Sequence, residues 1–131
     1  MLTRWLLPFV SLVAFAGGAA QAHHSFAAFF DPAAEITLKG TVTAFRFTNP
    51  HGTIAFDVQG ADGKVVHWRA ETNAPVVLVR RGWSRTSLKA GDVITIEGWK
   101  ARDGKPYLRL KRAYDASGKL IGTAAFSTTE D

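Results

Sequence analysis

Cysteine is absent from the 131 residues. That removes disulfides, thiol catalysis, thiolate metal sites and lipid attachment at a leader cysteine, so any exported form must hold together by its core alone. Also missing are a serine in a nucleophile-elbow context, an HExxH pair and any acidic pair spaced for general acid and base work. Hydrolysis is therefore not expected, and the chain is read as no enzyme, with copper redox chemistry the one activity left open. Long apolar runs are scarce. The longest, LLPFVSLVAF at residues 6–15, is too short to span a bilayer unaided. Acidic residues are outnumbered only mildly, 11 against 16 Lys and Arg, for a net charge of +5. Spread along the chain, that excess describes a solvated surface first and a preference for anionic partners second.

What is present begins with a leader. One cation, Arg4, precedes the apolar run, and small residues end in Ala20, Gln21 and Ala22. The pattern predicts a signal peptide over residues 1–22, cleaved on export to the periplasm, with no stable membrane anchor left behind. Nucleic acid is not an expected partner there. Cleavage after Ala22 leaves 109 residues, one ordinary domain, and makes His23 the first residue and His24 the second.

Residues 23–34 carry Phe26, Phe29 and Phe30 at helical i, i+3, i+4 spacing before Pro32 stops the turn. The three rings predict a segment docked on the domain. From Glu35 the period becomes two: Ile36, Leu38, Gly40, Val42 and Ala44 share one face, and Gly40 suggests a bulge. A loop at residues 48–52, TNPHG, separates this strand from a second with Ile54, Phe56 and Val58 on one face. A hairpin loop over residues 60–63 leads into a third strand. Pairing Val58 with Val66, Phe56 with Trp68 and Ile54 with Ala70 puts the apolar residues on one side, with Asp57 opposite His67 and Thr53 opposite Glu71 on the other.

Asn73 then reads as a helix cap, Pro75 as first turn and residues 76–81 as a short helix ended by Gly82. Leu88 should tuck inward from a polar connector. Two further strands follow, VITIEGW and residues 107–114, joined by a tight loop at 102–106; Leu120 and Ile121 form a stub, and residues 123–131 read as a flexible tail. The fold class is mainly β: a small OB-like, five-stranded Greek-key barrel over residues 35–122, with one short helix between strands three and four. In that frame the loops at 48–52 and 102–106 are binding loops.

The runs HHSFAAFFD, GTVTAFRFTNPHG, HWRAE, RRGW, LKAGD and a late DGK together resemble a family of small exported bacterial proteins of unassigned function, across essentially the whole mature chain. HHSF, TNPH and RRGW are the specific parts. The resemblance implies an OB-like periplasmic protein and supplies no catalytic residue. Phe47 stands where the family pattern has tryptophan.

His23 is the leading candidate ligand. A terminal amine and the imidazole of the same residue chelate one metal ion, and a second imidazole completes a T-shaped, nitrogen-only set suited to Cu(II) ahead of zinc or nickel. His51, in the TNPHG loop, is the candidate for that second imidazole, and reads equally well as a hydrogen-bonded loop histidine. His24 is the reserve, through a chelate that includes a backbone amide. His67 is expected to pair with Asp57, roughly 20 Å from His51 at about 3.4 Å per residue. Trp68 and Trp99 read as core and rim packing, and Arg80, Arg81 and Trp83 as a helix end with solvated cations. The alternative to a metal site is a metal-free module. It would bind an acidic glycan or a periplasmic partner protein through a basic, aromatic barrel face made by Arg69, Tyr107, Arg109 and Lys111.

Overall fold

A computed structural model describes residues 26–129. The expected leader, its expected cleavage point, His23 and His24 lie outside the described residues. A four-residue helix, α1 (Phe26–Phe29), runs into a long strand, β1 (Phe30–Arg46); β2 (Thr53–Gln59) and β3 (Val65–Glu71) follow as a hairpin, α2 (Pro75–Arg80) is next, and β4 (Val93–Ala101) and β5 (Tyr107–Tyr114) complete the order. The strands close into a barrel in the sequence β1-β2-β3-β5-β4. Every neighbouring pair is antiparallel except β3 with β5, which is parallel over Arg69–Glu71. This is the five-stranded OB-like arrangement, with its helix between β3 and β4 as expected.

The hairpin register agrees with the alternation of its residues. Val58 faces Val66, Phe56 faces Trp68, Ile54 faces Ala70, and Asp57 faces His67. One inner face results, on which Val42, Ile54, Phe56, Ala70, Ile94, Ile96, Leu108 and Leu110 are buried. Leu78 of α2 and Leu88 of the connector fill the space beside it. Truncating fully buried Leu78 to alanine should cost about 2–5 kcal/mol.

Several boundaries differ from expectation for identifiable reasons. Pro32 does not end the N-terminal segment. The chain is already extended at Phe30, which pairs with Ala101, and the register slips before resuming at Glu35 opposite Trp99. Of the three phenylalanines, Phe26 and Phe30 dock, while Phe29 is 54% exposed. The β1 irregularity falls between Val42 and Ala44, so Phe45, not Ala44, returns to the core face. Gly40 serves close approach instead: a Cβ there would collide with the Asp57 carbonyl oxygen. Asn73 is not the cap of α2. Ala74 holds that position without a side-chain bond, because the Asn73 carbonyl is engaged by Gly52 N–H and Thr72 Oγ1. The segment expected to fray is tied down through Phe126, 4% exposed, which packs on Trp83 and donates its N–H to Lys111 O.

Gly98 lets β4 lie close against β5. An alanine Cβ would collide with Arg109 O, a backbone atom that can move only with its strand. Gly98→Ala is therefore expected to cost about 1–3 kcal/mol by overpacking, read as a lower urea midpoint.

Candidate functional site

The strand registers place one row of residues across the outer face of the barrel. Glu35 on β1 neighbours Trp99 on β4, Trp99 neighbours Arg109 on β5, Arg109 neighbours Glu71 on β3, and Glu71 neighbours Thr53 on β2. His51, in the loop before β2, stands at the Glu71 end of this row. Its Nδ1 is 3.2 Å from Thr72 O, 3.3 Å from Arg109 Nη1 and 3.9 Å from Glu71 Oε1.

Counting hydrogens assigns the histidine tautomer. Arg109 Nη1 carries two hydrogens but has three acceptors in range: Glu71 Oε1 at 3.0 Å, Thr72 O at 3.0 Å and His51 Nδ1 at 3.3 Å. The carboxylate and the carbonyl are the closer partners, and the carboxylate carries the charge, so they take both. His51 Nδ1 then donates to Thr72 O, whose two lone pairs serve His51 and Arg109, and the imidazole lone pair is on Nε2. Glu71 is held from its other oxygen by the Tyr107 hydroxyl. Burial, together with that bond to a carboxylate, raises the Tyr107 pKa above its usual value, so the phenol stays a donor. The guanidinium of Arg69 lies 5.4 Å from the centre of the Tyr107 ring.

The basic face predicted from sequence is thus altered. Arg109 is 4% exposed and paired with Glu71, so it supports the site from beneath and cannot offer its charge to an outside ligand. Parallel pairing of β3 with β5 is the cause, because it sets Arg109 directly beside Glu71. Lys111 bonds both oxygens of Glu35 at 2.6 Å and lies 5.5 Å from the centre of the Trp99 ring. Tyr107 and Arg69 do adjoin His51's network, whereas His67 is elsewhere on the hairpin, bonded to Asp57 Oδ1 at 2.6 Å. Glu71, the Thr72 carbonyl and Glu35 were missing from the sequence-based site. Only the Thr53–Glu71 pairing hinted at one of them.

The hydrogen bond from Lys111, set against desolvation, lowers the Glu35 pKa. Its stabilising effect is full above the ordinary carboxylate range and is lost as pH falls through the depressed value. Lys111→Met should move the Glu35 titration upward, measured by NMR of the side-chain carboxyl.

Beyond Trp99, the row is covered by the N-terminal segment. Phe26 meets Trp99 edge-on at 5.2 Å and Phe30 at 5.6 Å, and Phe30 meets Tyr107 at 5.5 Å. Arg102 fastens α1 by donating to Ala27 O at 2.7 Å and, through its backbone N–H, to Phe29 O. Among the described residues, no three His, Cys, Asp or Glu side chains gather to hold a metal ion.

No curated protein matches the chain in sequence. Among solved structures it is similar to TiaS in a complex with a transfer RNA and ATP, with 19% identity, 69% of this chain and 18% of that chain covered, and a TM-score of 0.42. This chain therefore corresponds to less than a fifth of TiaS. It is also similar to the small single-stranded DNA-binding protein of Streptomyces coelicolor, with 17% identity, 62% and 89% covered, and a TM-score of 0.41. Sequence is more decisive: residues 11–108 match the family of unknown function DUF6152, a span that takes in the docked aromatic segment, His51 and the helix, and the chain belongs to that family.

Proposed function

We propose that this is an exported, periplasmic copper-binding or copper-handling protein. His23, as the mature amino terminus, chelates Cu(II) through its amine and ring; Nε2 of His51 supplies the third nitrogen, and His24 is the reserve ligand. The observation that carries this reading is the contact of His51 Nδ1 with Thr72 O at 3.2 Å. A histidine whose Nδ1–H is held by a carbonyl turns Nε2 toward a metal ion in the orientation that ligating histidines use. Reach also supports it. Trp99, under Phe26, and Glu71, beside His51, are two strands apart, about 10 Å at the usual strand spacing. Three residues of extended chain ahead of Phe26 span about 10 Å.

The metal-free alternative, binding of an acidic glycan or a partner protein, has less support. Of its four residues, Arg109 and Lys111 already hold carboxylates and Tyr107 donates to the Glu71 carboxylate, leaving Arg69 as the cation with no carboxylate bonded to it among the described residues. Intact mass of the exported protein, followed by Cu(II) titration against a calibrated chelator, tests the proposal. A mass beginning at His23 and an affinity tighter than about 1 μM are expected. A start at Ser25 or later, or a retained leader, defeats the amino-terminal chelate. Affinity weaker than about 1 μM makes the metal-free reading the better one.

A further inference from the structure

The parallel contact between β3 and β5 begins only at Arg69, so residues 65–68 of β3 have no strand on their second side among the described residues. The direction of their backbone groups follows from the hairpin. Gly60 N–H donates to Lys64 O and Thr72 N–H to Gly52 O, which fixes Val66, Trp68 and Ala70 as the residues bonded to β2. Val65, His67, Arg69 and Glu71 therefore turn their N–H and C=O groups the other way. Arg69 N–H bears this out by reaching Pro106 O at 3.1 Å. Val65 and His67 direct theirs past the end of the β5 ladder, along an open edge.

Folded proteins usually guard such an edge with lysine, proline, a bulge or a covering loop. Residues 65–68, VVHW, contain no lysine or proline, and the β2–β3 register runs through them without a bulge. Val65 and Val66 are 51% and 41% exposed. We infer that this edge is where a second copy of the chain docks, strand against strand, about a two-fold axis at Val66.

In an antiparallel pair the outward-bonding residues must face one another, which leaves a two-fold axis at Val66 or at His67. With the axis at Val66, Val65 of one copy faces His67 of the other and exchanges both hydrogen bonds with it, and the axis repeats the pair. Val66 meets its own copy at the axis, where side chains approach most closely. In the same register Lys64 falls opposite Trp68 and Arg69 opposite Gly63. No cation faces a cation, and an ammonium beside an indole is favourable. The neighbouring register, centred on His67, also lets outward-bonding residues face one another, but it sets Val65 against Arg69, whose N–H is already given to Pro106 O, and puts Lys64 opposite Ala70 in place of the indole. An edge contact this short buries little surface, so the dimer is a weak one.

Sedimentation equilibrium of the mature protein in chelator, from micromolar to about millimolar, tests the inference independently of copper. A monomer–dimer equilibrium is expected. Val66→Lys sets two ammonium groups across the axis and should weaken dimerisation at least about tenfold, about 1.4 kcal/mol. Val79→Lys, at a valine 59% exposed on α2, should leave it unchanged. Val65→Pro removes an edge donor that β2 does not use, and gives a second route if the lysine variant unfolds. A protein monomeric up to about 1 mM, or a dimer indifferent to both edge variants, overturns the inference.

Discussion

Adding one residue ahead of His23 is expected to weaken Cu(II) binding by at least about tenfold, while leaving the barrel folded. In the proposed chelate, the extension would convert the amine of His23 into an amide, which does not bind as a neutral nitrogen donor, and would shift the new amine one residue away. The two-point chelate with the His23 ring is broken. Loss of about 1.4 kcal/mol is the tenfold step, and a lost nitrogen ligand is expected to exceed it. The core is expected to be indifferent, because among the described residues docking on it begins at Phe26, three residues downstream of His23. Competition against a chelator gives the affinity, and circular dichroism checks the fold. His51→Ala should weaken binding less than the extension, since it removes one nitrogen and leaves the chelate. His67→Ala should change binding little, because its ring is committed to Asp57 on the outer face of the hairpin. Equal affinities for the native and extended chains would sink the chelate. A His67 effect larger than the His51 effect would move the metal to the other end of the hairpin.

How legible these features were depended on whether they are local. Alternation on both faces of residues 53–71 allowed only one hairpin register, since a slip by one residue would expose Phe56 and Ile54 together. The helix between β3 and β4 was signalled by Pro75 and Gly82, whose backbone preferences act within a turn. The buried role of Arg109 was not legible. It depends on β3 lying parallel to β5, a pairing between segments 38 residues apart, and nothing in the alternation of Leu108 and Leu110 with Arg109 and Lys111 distinguishes a covered outer face from a solvated one. Phe126 was missed for a related reason: a single aromatic among small and polar residues has no period, although its ring closes the space beside Trp83. The docking of Phe26 and Phe30 was anticipated from their number, but not their partners, because Trp99 looked like rim packing until the N-terminal segment was laid over it. The candidate site was thus found in part through His51 and Tyr107. The group that orients His51 is a backbone carbonyl, which no side-chain pattern can announce.

Glu71→Ala should be among the most destabilising single substitutions on the outer face of this barrel, costing about 3 kcal/mol, the lower part of the range for breaking a buried ion pair. Arg109 is 4% exposed and cannot rotate its guanidinium into water, so removal of the carboxylate leaves a buried charge with the Thr72 carbonyl as its remaining strong acceptor. The Tyr107 hydroxyl loses its acceptor at the same time. Glu71 itself is about one-fifth exposed, which screens the pair and places the expectation at the low end. The reverse deletion, Arg109→Met, should cost less, because the orphaned carboxylate can draw on solvent and keeps the Tyr107 bond. Removing both charges, with Glu71→Leu and Arg109→Met, should recover much of the loss, as expected when two desolvated ions leave together. Urea unfolding of the four proteins gives the cycle, and a fall of about 10 °C or more in Tm should accompany Glu71→Ala. A cost below about 1 kcal/mol for that variant would mean that water reaches Arg109, and would remove the argument that assigns both of its Nη1 hydrogens and, with them, the His51 tautomer.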